Sequence, residues 1–100
     1  MSREGAYRYL IAYDIADDRR RAKLASRLKA YGERIQFSVF IVDVKPARIV
    51  RLRALLLKIL EPTEDSVAIC ELGPLSRAIA LRMEFLGVRH DLMSSRGFIV

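Results

Sequence analysis

A carboxylate at the end of an apolar run is the side chain of this sequence best placed to do chemistry. Residues 9–15 are YLIAYDI, and Asp14 shares strand parity with Leu10 and Ala12, so it would leave a strand from an apolar face. A charge on such a face needs a partner charge or a metal ion. An Asp after a strand can instead form a turn or cap the next helix, but Asp17 is better placed as the cap.

Asp14 is therefore a candidate metal ligand, with Mg²⁺ as the candidate cofactor. One carboxylate makes a poor Mg²⁺ site, because this ion usually takes one or two carboxylates together with waters and phosphate. A two-fold axis that brought two copies of Asp14 together would supply the second carboxylate. The residue thus favours a metal site shared within a homodimer.

Three cations, Arg19, Arg20 and Arg21, follow in the first turns of a predicted helix. Cations are disfavoured at that end of the helix dipole, so the run indicates an anionic ligand. The net charge is +6, and arginine, which pairs bidentately with phosphate, outnumbers lysine. The pattern favours nucleic acid as a partner, and the alternative is an ordinary solvated basic surface.

Composition restricts the class of protein. The chain has 100 residues, the usual size of one domain, and 52% hydrophobic with 30% charged residues is typical of folded proteins. No apolar run has the length of a membrane span and the first residues carry no apolar signal region, so we expect a cytoplasmic protein with no membrane partner. The single cysteine, Cys70, excludes an internal disulfide and is expected to lie in the core.

Hydrophobic periodicity predicts alternating strands and helices. Strands are predicted at 7–15, 34–44 and 66–72, helices at 18–31 and 46–60, a fourth strand at 78–86 and a short fifth strand at 97–100. This order predicts an α+β, ferredoxin-like β-α-β-β-α-β antiparallel sheet with helices on one face, plus the short C-terminal strand.

The predicted organisation is a single domain over 1–100, with a core at about 7–86 and an extension, 87–100, at a dimer interface. The second predicted strand is apolar on both parities, because Ile35 and Val39 alternate with Phe40 and Val42. A sheet that is apolar on both faces needs cover on both. We expect a second subunit to cover the face that the helices leave open.

Several of these segments, namely YLIAYDI, DDRRRAKLA, GERIQFSVF and DSVAICEL, resemble the CRISPR-associated protein two family over roughly residues 7–86. The resemblance implies a ferredoxin-like homodimer that partners the CRISPR integrase during spacer acquisition. It also implies, for many members, magnesium-dependent endonuclease activity on RNA or DNA.

The resemblance assigns roles to individual residues. The strand-one acid of the family matches Asp14, and its preceding residue matches Tyr13. The basic positions match Arg21, Lys23 and Arg34, and the Ser and Phe of the family's SVF match Ser38 and Phe40. Lys23 departs from the arginine often found there and provides a point charge rather than a fork. The segment GPLSRAIALRMEFLG matches no family signature, and His90 is a weaker candidate for a general base.

Three functions remain open from the sequence. In the first, paired Asp14 side chains hold Mg²⁺ for phosphodiester cleavage, Arg21 and Arg34 hold phosphates, and Ser38 and Phe40 shape the cleft. In the second, the dimer is a non-catalytic DNA-bridging module and Asp14 is structural. The third is an RNA-recognition domain, which we rank last, because such domains stack bases on aromatics of their sheet and SVAICEL has none.

Overall fold

The chain folds as four strands and two helices within the residues that the structure, a computed structural model, describes, 5–75 and 83–87. The elements in chain order are β1 (Tyr7–Asp14), α1 (Asp18–Lys29), β2 (Gly32–Gln36), β3 (Val39–Val44), α2 (Pro46–Ile59) and β4 (Ser66–Pro74). The strands form one antiparallel sheet in the order β2-β3-β1-β4. The ferredoxin-like fold expected from the sequence is confirmed.

Both helices pack on one face of this sheet. Alternation along β1 sends Tyr9, Ile11 and Tyr13 to that face, where they pack in one buried cluster with residues of both helices. Each helix begins at a residue that favours a helix N-terminus. The Asp17 carboxylate accepts a hydrogen bond from the Arg20 backbone N–H at 2.9 Å, and Pro46 occupies the first turn of α2.

The predicted single strand over 34–44 is wrong, because the chain turns back on itself at Phe37 and Ser38. Gln36 pairs with Val39 across this two-residue turn, and β2 and β3 run antiparallel. The alternate residues of this segment are apolar in both sets, as the sequence showed, and each set packs on a different face of the sheet. Phe40 and Val42 enter the helix-side core, while Ile35 and Ile41 form a second cluster on the opposite face.

That opposite face is partly covered by the chain itself, which corrects the expectation that only a second subunit covers it. Met83 and Phe85 pack against the cluster of Ile35 and Ile41. Beside it, the buried Arg8 guanidinium donates two hydrogen bonds of 2.8 Å, from Nε and Nη2, to the two carboxylate oxygens of Asp43. Such a fork satisfies both charges.

The structure tests only a small part of the predictions made for the C-terminal residues. Residues 83–86 are not in a strand, so that part of the predicted fourth strand is wrong. Residues 76–82 and 88–100 lie outside the described residues. They include His90, the predicted strand at 97–100 and most of the predicted extension at 87–100.

Cys70 is exposed rather than in the core. Within the described part of the chain, no helix has the length and apolar character needed to cross a membrane.

The approach of β2 to β3 requires glycine at position 32. A Cβ built on Gly32 would lie 2.1 Å from the backbone oxygen of Ile41, which cannot move without breaking the ladder. We predict that Gly32→Ala lowers the free energy of unfolding by about 1–3 kcal/mol, as overpacking does. Urea denaturation measures this change, with the exposed Ser26→Ala as the control. An unchanged midpoint for Gly32→Ala would contradict the close approach.

Candidate functional site

One end of the sheet gathers the features that could do chemistry, and we call it the Asp14 end. Asp14 closes β1 and pairs with Ser66 at the start of β4. One residue earlier, the Tyr13 backbone N–H donates to the Ser38 carbonyl oxygen at 3.1 Å, which brings the β2–β3 turn to the same end. The N-terminus of α1 follows within four residues of Asp14.

The Asp14 side chain is exposed at this end. It shares strand parity with Leu10 and Ala12, so it leaves the sheet on the side opposite the helices, as the sequence predicted. The described residues contain no group of three or more His, Cys, Asp and Glu side chains that could hold a metal ion. Asp14 is therefore not grouped with two further metal-binding side chains among the described residues of one chain.

Tyr13 and Phe40, both predicted as catalytic, belong to the core on the helix side. Phe40 is fully buried, Tyr13 is 6% exposed, and their ring centroids lie 6.3 Å apart. The Tyr13 hydroxyl donates to the Phe37 carbonyl oxygen at 3.2 Å. The Phe40 ring has no exposed surface in this chain, and its predicted role in shaping a cleft stays a prediction. Tyr13 acts on the turn, as a positioning residue.

Arg34 lies directly across from Phe40 in the sheet, with its guanidinium carbon 5.3 Å from the ring centroid. Directly paired residues of antiparallel strands project to the same face, so Arg34 belongs to the helix side while Asp14 belongs to the other. Its Nε is buried and has no hydrogen-bond partner among the described residues. The structure does not bring Arg34 and Asp14 together.

The guanidinium of Arg20, a residue predicted to bind nucleic acid, forms hydrogen bonds with two acids of its own chain. Its Nε donates to the Asp65 carboxylate at 2.8 Å, and its Nη2 donates to Glu64 at 3.0 Å. These hydrogen bonds raise the pKa of the Arg20 guanidinium. The Arg20 side chain is thus bound to two acids of its own chain, and its predicted contact with phosphate stays a prediction.

The other predicted cations of α1 differ in whether their side chains bind other groups of the chain or are exposed to solvent. The Arg21 Nη1 donates to the Ile15 carbonyl oxygen at 2.9 Å, and its Nη2 contacts the Asp18 carboxylate, so Arg21 braces the turn between β1 and α1. Arg19 and Lys23 are exposed on α1. Ser38 is partly buried, and its backbone is what the structure ties to β1.

Asp65 is the organising residue that sequence reasoning missed. Its side chain has no exposed surface, and it also accepts hydrogen bonds from the backbone N–H groups of Ala16 at 3.2 Å and Glu61 at 2.9 Å. The hydrogen bond from Arg20, followed by these two, lowers the pKa of Asp65 from 3.8 to about 2. One carboxylate thus fixes the turn beside Asp14 to the loop before β4.

Comparison with known proteins gives consistent results. A sequence model of the family described as "CRISPR associated protein Cas2" matches residues 7–77. The CRISPR-associated endoribonuclease Cas2 3 of Synechocystis sp. is 48% identical over 59 residues, which cover 59% of this chain and a little less than two thirds, 64%, of that relative. The CRISPR-associated endonuclease Cas2 2 of Thermus thermophilus is 40% identical, with 80% of this chain and 81% of the relative covered.

Solved structures agree with the fold. The crystal structure of a hypothetical protein from Thermus thermophilus superposes with a TM-score of 0.72 at 38% identity, covering 88% of this chain and 99% of that one. The crystal structure of Streptococcus pyogenes Cas2 at pH 6.5 superposes with a TM-score of 0.69 at 29% identity, covering 80% of this chain and 99% of that one.

The buried Asp65 predicts a specific pH dependence of stability. Its pKa in the folded chain is about 2, below the ordinary 3.8, so its contribution is fully present above about pH 4 and is lost as the pH falls through 2. We predict that Asp65→Asn lowers the midpoint of thermal unfolding at neutral pH, and that the difference from the wild type narrows as the pH falls below 4. Calorimetry between pH 2 and 7 measures both midpoints.

Glu64→Gln is the matched control for this prediction, since Glu64 binds the same guanidinium with its side chain 58% exposed. An exposed pair contributes little, so this variant should unfold close to the wild type. If the unfolding midpoints of Asp65→Asn and the wild type differed by the same amount at every pH, the stabilisation would not come from the charge of the Asp65 carboxylate.

Proposed function

Because the chain belongs to the CRISPR-associated Cas2 family, we propose that it is a magnesium-dependent endonuclease acting on RNA or DNA, with Asp14 as its metal ligand. The observation that carries the proposal is the exposed Asp14 carboxylate at the end of a central strand, on the side of the sheet that lacks helices. The names of the relatives, endoribonuclease and endonuclease, support the reaction class.

The donor set fits Mg²⁺ when two copies share a site. Mg²⁺ binds carboxylate oxygen and keeps several waters, with one or two carboxylates from the protein. One chain supplies one copy of Asp14, and a two-fold axis through the helix-free face would supply a second. Bound there, the ion would activate water and neutralise the scissile phosphate. The proposed enzyme is therefore a homodimer.

The chain's own residues would hold the substrate and keep the site in place. Arg19 and Lys23 are exposed near the start of α1 and can attract the phosphates that flank the scissile bond. Asp65 and Arg20 hold the turn beside Asp14 to the rest of the fold. In the cell we propose that this dimer works with the CRISPR integrase, as the family membership suggests.

We predict that Asp14→Asn abolishes magnesium-dependent cleavage while leaving the fold, the dimer and nucleic-acid binding intact. The amide keeps the shape of the carboxylate but removes the charge that Mg²⁺ requires. Cleavage assays with Mg²⁺ on single-stranded RNA and on duplex DNA, with wild type beside variant, measure the loss. Asp18→Asn removes an exposed acid nearby in α1 and serves as the control.

Equal cleavage by the wild type and Asp14→Asn would contradict the metal-site role. Cleavage lost in both Asp variants would show that local negative charge, rather than Asp14 itself, is required. No cleavage by any of the proteins, with binding retained, would favour the second candidate function.

That second candidate is a non-catalytic module that bridges DNA, and the composition of α2 favours it. The 14 residues of α2 include four cations and no acid. All four, Arg48, Arg51, Arg53 and Lys58, are exposed on the helix layer, away from the face of Asp14. A one-sided basic surface of this kind binds phosphates without reading sequence.

We predict that the helix layer contributes measurably to duplex binding. Arg51 and Lys58 are seven residues apart and share one face of α2. Replacing both with Gln should reduce the slope of log K against log salt by about 0.9 for each phosphate that the protein no longer neutralises. Fluorescence anisotropy over a salt series measures the slope, with Arg19→Gln and Lys23→Gln on α1 as the comparison pair. An unchanged slope in the α2 variant would place the duplex on another surface.

A further inference from the structure

We infer that the groove between α2 and β4 is a docking site for a partner protein, and that it takes a short segment in which a large apolar side chain has acidic neighbours. The groove lies where β4 forms one edge of the sheet among the described residues. This role goes beyond the proposed nuclease and does not depend on it.

The groove is a concave and mainly apolar surface. Its lining comes from one side of α2 and from two alternate residues of β4, namely Arg53, Leu56, Leu57, Leu60, Val67 and Ile69. Leu56 is only 2% exposed and belongs to the core, whereas Leu57 is 61% exposed. The groove is therefore built on the packed core and opens to solvent beside Leu57.

The size of the groove restricts what can fill it. Its volume is about 230 Å³, whereas sites for small molecules and cofactors usually have about 300–1,000 Å³. A cavity of about 150 Å³ already holds a benzene ring. The groove thus fits one large apolar side chain, and protein partners commonly anchor themselves by placing such a side chain in a pocket.

Apolar surface continues from the groove onto the outer face of α2. Val50, Ala54 and Leu57 are spaced i, i+4 and i+7, so they share one face of the helix, and all three are exposed. Val50 is 56% exposed. A contiguous apolar patch with a polar rim is typical of a surface that contacts another protein, whereas scattered exposed apolar residues are not.

Cations flank this patch on both sides. Arg53 lines the groove, and the helical period places the exposed Arg51 and Lys58 on the other side of the patch. The ion pairs formed among the described residues do not include Arg53. Glu71 lies two residues beyond Ile69 on β4 and does not line the groove. The charges therefore favour a ligand whose apolar anchor has acidic neighbours.

The same charges decide between the candidate occupants. A second copy docked through the same patch would set the cations of one α2 against those of the other, because a two-fold interface brings identical surfaces together. A duplex would neutralise the cations but would offer the groove no apolar side chain, since its outer surface is phosphate and sugar. An acidic protein segment with an apolar anchor satisfies both the groove and its rim.

The test selects the segment without assuming its sequence. A phage-displayed library of random dodecapeptides is panned on the full chain, with the double variant Arg53→Gln/Leu57→Ser as the counter-selection. The selected peptides should carry a Leu, Ile, Met or Phe with Asp or Glu close to it in sequence. The affinity of one selected peptide, synthesised with a fluorescent label, is then measured by anisotropy.

Single variants separate the apolar contribution from the charge. Leu57→Ser and Arg53→Gln should each weaken binding of the selected peptide about tenfold, and Arg53→Lys should restore part of the loss. Both positions are exposed, so the variants should fold as the wild type does. Leu86→Ser and Arg27→Gln are the matched controls, because these residues are also exposed and lie outside the groove. They should bind the peptide as the wild type does.

Several results would overturn the inference. The first is that no peptide survives the counter-selection, or that the survivors lack acids or an apolar anchor. The second is that the selected peptide binds Leu57→Ser and Arg53→Gln as tightly as the wild type.

The remaining contrary results would assign the groove to another occupant. A change in sedimentation of Leu57→Ser would make it a contact between copies of the chain. An equal loss of duplex DNA affinity in Leu57→Ser would make it part of a nucleic-acid surface, and loss of binding to phosphatidylglycerol vesicles would make it a membrane contact. None of these measurements involves cleavage, so the absence of nuclease activity would bear on the proposed function alone.

Discussion

Alternation along β1 is the constraint on which the site depends. Successive side chains of a strand leave opposite faces, so Tyr13 and Asp14 enter different environments although they are neighbours. Tyr13 enters the core under the helices, contacts Phe40 and holds the β2–β3 turn through its hydroxyl. Asp14 leaves on the other side, where it is exposed. A slip of one residue would exchange the two environments, and the six-residue pairing of β1 with β3 together with the longer one with β4 prevents it.

The second constraint is electrostatic and keeps the junction between β1 and α1 in place. Asp65 has a fully hidden side chain, and its oxygens accept hydrogen bonds from Arg20 and from two backbone N–H groups. Removing one partner of such a group leaves a buried charge unsatisfied. Arg20 therefore neutralises an acid of its own chain. Of the cations of α1 that were predicted to contact nucleic acid, Arg19 and Lys23 have exposed side chains.

Sequence reasoning recovered the elements that have strong periodic or capping signals. Leu24 and Leu28 on α1, and Ile49, Leu52 and Leu56 on α2, are buried as their spacing indicates, and Asp17 caps α1. The hairpin at Phe37 and Ser38 was missed because Ser38, a weak turn former, is the one turn-favouring residue of the pair and no Gly, Asn, Asp or Pro accompanies it, so two strands looked like one. The partners of Arg20 could not be foreseen either, since Asp65 lies 45 residues away along the chain. Cys70 was misplaced because β4 is at the edge of the sheet that the described residues form, where an apolar composition does not guarantee burial.

The two proposed activities need not compete for one surface. Arg34 and the cations of α2 belong to the helix side of the sheet, whereas Asp14 leaves from the other side. A duplex held by phosphate contacts along the helix layer would leave the Asp14 carboxylate uncovered. A strand cut at Asp14 would meet the end of the sheet that also carries the β2–β3 turn. Cleavage and bridging would then be separable by substitutions at Asp14 and on α2, because the sheet itself, with its buried layer on each face, keeps these two surfaces apart.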